Sequence, residues 1–186
     1  MNGWTWYLIV GGWAAWAIYW LIMAFTAKRT VERRWAVRDR LVVVAAAVVW
    51  LLAQPFRVTH FHLWETHVAL GVVSDLIFIA GVGLTVWARI TLGSNWSPEV
   101  AFKQDQELIE NGPYATVRHP IYTGLLMMAL ATAIHYGEAR GFVVFGLLCA
   151  GAWLKSRQEE ELMTAHFPEA YPKYKHRVRA LIPFVL

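Results

Sequence analysis

Apolar residues crowd this chain into long runs separated by short charged segments. A helix that crosses a membrane needs about 20 largely apolar residues, and the pattern supplies about five such stretches, at 4–25, 41–55, 66–90, 121–136 and 141–154. The second and the last are short, so tilt, local thinning of the bilayer or extension into water must accommodate them. Gly71, Gly81, Gly83, Gly141, Gly146 and Gly151 punctuate the runs, and small residues let membrane helices approach closely. Two polar segments, 91–119 and 155–186, remain for chemistry. The first carries turn signals at Leu92-Gly93-Ser94-Asn95, Ser97-Pro98 and Asn111-Gly112-Pro113, which predict a folded loop holding a short helix or strand. The second is predicted to prolong the last span as a helix and to break near Pro168 and Pro172. The expectation is an all-α, polytopic bundle forming one structural domain, with three spans in 1–90 and two more, plus a tail, in 91–186.

Composition agrees with the pattern, since 58% of the 186 residues are hydrophobic, 16% are charged and 11 are Trp, as polytopic membrane proteins show. Charge then orients the bundle. Lys28, Arg29, Arg33, Arg34, Arg38 and Arg40 fill the first connection, and Lys155, Arg157, Lys173, Lys175, Arg177 and Arg179 fill the tail. With Arg89, Lys103 and Arg118, all of the 17 Lys and Arg except Arg57 and Arg140 fall on one side, which the positive-inside rule makes cytoplasmic. Five spans then put the amino terminus outside and the tail inside. The formal charge of +4 therefore reads as topology, and no nucleic-acid partner is expected. The first apolar run lacks a basic flank and exceeds a signal-peptide core, so it is expected to stay as a span. A lone cysteine, Cys149, excludes intrachain disulfides and thiolate metal clusters and reads as a small apolar helix residue. Nothing in the sequence speaks to oligomeric state.

Candidate chemistry gathers where helices meet the charged side. Pro120 suits the first turn of the fourth span, where its missing N–H costs nothing, and His119 then sits at the cap. Such a helix start attracts anions, and Arg118 adds a planar donor fork suited to carboxylate or phosphate. The alternative for Arg118 is a positive-inside anchor. In the tail, at 100° per residue, Glu159 falls between Leu162 and Met163, Glu160 falls near Phe167, and Glu161 points the other way. A solvated helix face separates its charges from its apolar stripe, yet here two carboxylates share that stripe, which predicts a pocket with a cationic guest; an ordinary charged helix exit is the alternative. Asp75, in the middle of the third span, either lines a tunnel for a substrate or packs locally with Ser74. A different class of function would use His60, His62, His67 and His135 at the outer face as haem or metal ligands, although their spacing fixes no axial geometry. No other metal ligands are expected.

Taken in order, Leu92-Gly93-Ser94-Asn95-Trp96-Ser97, Gly112-Pro113-Tyr114, Arg118-His119-Pro120-Ile121-Tyr122-Thr123-Gly124, Glu159-Glu160, Phe167, Tyr171, Tyr174, Arg177-Val178 and Pro183 resemble the isoprenylcysteine carboxyl methyltransferase family. The resemblance runs from about residue 92 to the end, and departs from the family at Pro168, where Gly is frequent. It implies an integral membrane enzyme that uses S-adenosylmethionine, held in a cytoplasmic pocket of the 91–186 region, with a lipophilic acceptor entering from the bilayer on the side of the 1–90 region. It also implies that Arg118, His119, Pro120, Tyr122, Glu159 and Glu160, with Tyr114, Tyr171 and Tyr174, contribute to the cofactor site. The 1–90 half offers no comparable guidance.

The chemistry of that cofactor is compatible with these residues. The helix start with Arg118 suits its carboxylate, Glu159 and Glu160 suit its ammonium or ribose, and Tyr114, Tyr122 and Trp96 offer ring faces to adenine or the sulfonium. No Gly-rich βαβ fingerprint is present, so helices and loops must build the pocket. Methyl transfer depends chiefly on alignment, and an acceptor carboxylate is already ionised near neutral pH. A thiol or lipid amine acceptor would instead need deprotonation, for which His119 or Glu160 is available. Arg177 is assigned to the acceptor carboxylate, with a lipid headgroup contact as its alternative; Trp96 and Asp75 are assigned to the substrate side.

Overall fold

The computed structural model describes residues 3–33, 62–65, 67–97 and 99–182. The expected span at 41–55 lies outside the described residues, as do Arg34, Arg38, Arg40, Arg57, His60 and Pro183. Five α-helices and two short strands occur among the described residues: α1 (Gly3–Ala24), β1 (Thr30–Arg33), α2 (Val68–Leu92), β2 (Ala101–Lys103), α3 (Pro120–Tyr136), α4 (Ala139–His166) and α5 (Ala170–Arg177). Three helices, over Trp4–Ala24, Val68–Asn95 and Ala139–His166, are long and apolar enough to cross a membrane, while α3 is apolar but shorter. Large apolar side chains such as Tyr7, Leu21, Ile22, Leu76, Trp87, Ile90 and Val143 stand exposed along them. Apolar exposure on that scale belongs to a lipid-facing surface.

The tightest contact joins α2 to α3. A Cβ on Gly81 would lie 2.7 Å from the Gly124 carbonyl oxygen, and one on Gly124 would lie 2.6 Å from Thr85 Cγ2, so the two backbones meet where neither carries a side chain. α3 ends at Gly137 in the left-handed region (φ 62°), with its N–H on the Ala133 carbonyl, the usual glycine stop. α4 starts two residues later, which makes α3 and α4 an antiparallel hairpin. α1 is held by side chains instead: Ile9 packs with Phe78, Met128 and Ala131, while Trp13 Nε1 donates to Thr132 Oγ1 (3.1 Å) and Trp16 Nε1 to Thr85 Oγ1 (3.0 Å). Thr5 lies beside Gly71, and Arg89 reaches the Met23 carbonyl (2.7 Å). α1 and α2 therefore run parallel, with their carboxyl ends together.

At that end β1 pairs antiparallel with β2, across some 70 residues of chain. The expectation of an all-α bundle thus needs a small amendment, since neither strand carries enough alternation to stand out from the sequence; a strand inside 91–119 had been allowed for. α4 continues past its apolar stretch as expected. The break falls at 167–169, and Pro172 sits within the first turn of α5, where proline is tolerated.

Candidate active site

The start of α3 is fixed by the tail. After the short turn at Gly112–Ala115, Val117 bridges Arg179 in parallel fashion. The N–H groups of Arg118 and His119 donate to the carbonyls of Arg179 (2.8 Å) and Ala180 (3.0 Å), and Thr123 Oγ1 donates to the Leu181 carbonyl (2.7 Å). Residues 118–119 are thus tied to the tail until Pro120 starts the helix. Opposite them, α4 carries Glu159 and Glu160 beyond its apolar stretch. Glu160 is buried, Glu159 half-buried and Glu161 exposed.

Glu160 is the hub. Its Oε1 accepts from Arg118 Nη2 (2.6 Å) and Nε (3.0 Å), and its Oε2 faces Lys175 Nζ at 2.7 Å. Arg118 Nη1 donates to the carbonyls of Lys175 (3.2 Å) and Val178. His119 lies between the two glutamates, Nδ1 at 3.4 Å from Glu159 and Nε2 at 3.4 Å from Glu160. Tyr122 OH donates to Glu159 at 2.5 Å and its ring stacks on His119. Burial alone would discharge the imidazole, but the flanking carboxylates outweigh it and raise its pKa. Both ring nitrogens then donate, as in an imidazolium. For Glu160, burial opposes the charge, yet hydrogen bonds from His119, Lys175 and Arg118 hold its pKa well below the usual carboxylate range. Burial pushes the phenols of Tyr114, Tyr171 and Tyr174 up, so they remain donors; Tyr174 OH donates to the Tyr114 carbonyl (2.7 Å).

A cavity of about 630 Å³ opens beside this cluster, within the ~300–1,000 Å³ range of small-molecule sites. Its lining includes polar and aromatic side chains from the loop, α3, α4 and α5, among them Tyr114, Arg118, His119, Tyr122, Glu159, Tyr171 and Tyr174, and apolar ones from α1 and α3, namely Trp16, Ala17, Trp20, Leu21, Ile121 and Leu125. Trp96 stands in the wall, with the Arg89 guanidinium 4.8 Å from its ring centroid. Leu21 lines the cavity and is exposed, so the α1 side of the lining reaches the outer surface.

Most of the residues singled out from the sequence converge here, and others lie elsewhere. Arg118 and Glu160 are bonded to each other, so the arginine fork is taken up internally by a carboxylate and two carbonyls. Pro120 shapes the helix start without lining the cavity. Arg177, expected to hold the acceptor, faces outward on α5 and pairs with Glu110; the Tyr171/Tyr174 face of α5 is the one that turns to the cavity. Asp75 is buried in α2 but does not line the cavity. It lies 17 residues from Leu92, about 25 Å along the helix at 1.5 Å per residue. Ser74, its expected partner, donates to Gly71 instead. His62 and His67 are exposed and His135 is buried, and among the described residues no three His, Cys, Asp or Glu gather as metal ligands.

Two sets of residues escaped the sequence reading. Lys175 was counted only as a positive-inside charge, and nothing local marks it as a partner of Glu160. The α1 wall was signalled by Trp16 and Trp20, four residues apart on one helix face, but a Trp-rich span is also an ordinary membrane anchor.

The phospholipid methyltransferase family model matches residues 69–170, more than half of the chain. Protein-S-isoprenylcysteine O-methyltransferases are similar in sequence: that of Rattus norvegicus is 32% identical over 59% of this chain and 40% of its own length, and that of Homo sapiens 30% identical over 62% and 42%. That of Schizosaccharomyces pombe is 31% identical over 53% of this chain and 43% of its own. This chain thus spans about two fifths of the length of these curated relatives. The fold is similar to that of the eukaryotic intramembrane Ras methyltransferase, isoprenylcysteine carboxyl methyltransferase, with a TM-score of 0.55 and 22% identity over 82% of this chain and 54% of that one. By the extent of the family match, the chain belongs to the phospholipid methyltransferase family, within which it resembles the isoprenylcysteine methyltransferases.

Proposed function

We propose that this chain is a membrane-embedded, S-adenosylmethionine-dependent methyltransferase whose acceptor is a lipophilic molecule bearing a carboxylate, as an isoprenylcysteine does. The cavity, lined by both charged or aromatic and purely apolar side chains, carries this reading. Its polar lining fits the methyl donor: Glu159 and Tyr122 suit ammonium or ribose hydroxyls, and Tyr114, Tyr171 and Tyr174 provide buried ring faces. When bound, the donor supplies a methyl group on a sulfonium, which an ionised carboxylate takes without proton transfer. The cluster behind the wall serves this lining by position. Glu160, held by Arg118, Lys175 and His119, sets the backbone at 118–119 and keeps His119 charged, so that imidazole is a hydrogen-bond donor here rather than a base. The apolar lining, with Trp16, Trp20 and Leu125, receives the acceptor's hydrocarbon from the α1 side and excludes water from the reacting groups.

Residues 1–90 then serve the acceptor and 91–186 the donor. Five spans, as the sequence pattern supplies them, put the amino terminus outside and the cavity at the cytoplasmic end, where the basic residues collect. The family's description and the presence of Glu99 and Glu107 in the cavity wall favour a second reading, a lipid amine acceptor, which would require a base. Calorimetric titration of the detergent-purified protein with S-adenosylmethionine, followed by labelled methyl transfer to prenylcysteine, thiol and phospholipid-amine acceptors, tests both. Stoichiometric donor binding and transfer to the prenylcysteine are expected. Tyr122→Phe should weaken donor binding roughly tenfold or more, through loss of a hydrogen bond to a charged group. Absence of donor binding would overturn the proposal.

A further inference from the structure

Three cationic side chains, Arg118, His119 and Lys155, line the cavity among the described residues, and each of them has partners within the protein. Arg118 spends its fork on Glu160 and on two tail carbonyls, and His119 directs both ring nitrogens to glutamates. Lys155 differs in place and in kind. It stands on α4 one turn before Glu159, nearer the apolar stretch, and its ammonium lies 5.7 Å from the centroid of the Tyr122 ring. Tyr122 adjoins both kinds of lining: its hydroxyl belongs to the Glu159 cluster, while Ile121 and Leu125 of the same helix are apolar wall residues. Lys155 is drawn towards Glu159, yet an ammonium carries three donors on a flexible four-carbon stem. It can keep that attraction and still meet an anion arriving from the apolar side.

We propose that Lys155 selects the charge of the acceptor, its ammonium binding the carboxylate of a lipophilic acid where the polar and apolar linings meet. This rests on the donor and acceptor assignment above and deepens it. A hydrocarbon tail against Trp16, Trp20 and Leu125 leaves the acceptor's head beside Lys155, and the donor's charged groups lie beyond it. The same ammonium repels a protonated amine, so one residue both attracts one class of acceptor and rejects another. Methylation turns the carboxylate into a neutral ester and removes the attraction, which favours departure of the product. Arg177, exposed and paired with Glu110, is then unnecessary for acceptor binding.

The test uses the full-length protein in nanodiscs, with an N-acetyl-S-prenylcysteine and its uncharged carboxamide as probes. Wild type should bind the acid roughly ten- to hundredfold more tightly than the amide, the span expected for a charge-assisted hydrogen bond. Lys155→Met should abolish that preference by weakening the acid alone, raising its KM and leaving affinity for S-adenosylmethionine within a fewfold; Lys155→Arg should restore most of the preference. Donor affinity also reports whether Lys155→Met is folded; if it does not bind donor, Lys155→Gln and Lys155→Arg carry the comparison. Equal binding of acid and amide by wild type, or an undiminished preference in Lys155→Met, would overturn the inference and leave the donor site intact. Failure of wild type to bind the donor would instead strike the reading beneath it.

Discussion

Replacing Glu160 by alanine removes the carboxylate on which three cations converge. Arg118 and Glu160 side chains are 8% and 5% exposed, so the pair is buried, and its 2.6 Å contact is reinforced by a second donor from the same guanidinium. Deleting one partner of a buried pair costs about 3–5 kcal/mol, because the other charge stays behind without compensation. Lys175, 43% exposed, adds less than about 1 kcal/mol. For a chain of this size each kcal/mol moves the thermal midpoint by about 2–4 °C, so Glu160→Ala should lower it by on the order of 10 °C, read by near-ultraviolet circular dichroism in detergent. Glu161→Ala, one residue along on the exposed face, should stay within about 0.5 kcal/mol of wild type. Removing both charges, in Arg118→Leu with Glu160→Leu, should cost less than the sum of the single changes. The acid side gives the same answer. A carboxylate whose folded pKa is depressed contributes stability above its unfolded value, about 4.3, which is lost as pH falls through the folded one. Equal midpoints for Glu160→Ala and Glu161→Ala, or strictly additive losses in the double variant, would refute a buried ionic hub.

Other outcomes follow from the same geometry. His119 has a raised pKa, so its contribution is complete below about 6.5 and is lost as pH climbs through the higher folded value; His119→Gln should flatten that alkaline decline in the thermal midpoint. Gly124→Ala forces a Cβ against Thr85 and the Gly81 carbonyl and should destabilise by about 1–3 kcal/mol or more, whereas Gly83→Ala, with open space around it, should not; thermal scans of both compare them directly. Arg177→Gln breaks an exposed pair with Glu110 worth under about 1 kcal/mol, and its KM for the prenylcysteine should match wild type.

Much of the helical frame could be read along the chain because it is written locally. Apolar runs became α1, α2, α3 and the first part of α4, and Pro120 marked the start of the site. The wheel around Glu159–Glu161 separated the inward carboxylates from the outward one, since that depends on helix period alone. What stayed hidden depends on partners distant in sequence. Thr30 meets Lys103 across the sheet, Arg118 is bonded to Glu160, and Lys175 joins them. Each rests on how α5 and the tail fold back, which no local periodicity encodes. Arg177 is the converse case: a motif residue can be exposed because its neighbours Tyr174 and Val178 take the buried side.

The unequal attachment of the helices has a practical consequence. α2 and α3 are welded backbone to backbone at Gly81 and Gly124, while α1 rests on the bundle through indole side chains and supplies the greasy wall of the cavity. An engineer seeking a bulkier or slimmer lodger can therefore rewrite that outer stave, at Ala17, Trp20 or Leu21, and leave the Glu160 cluster as it stands.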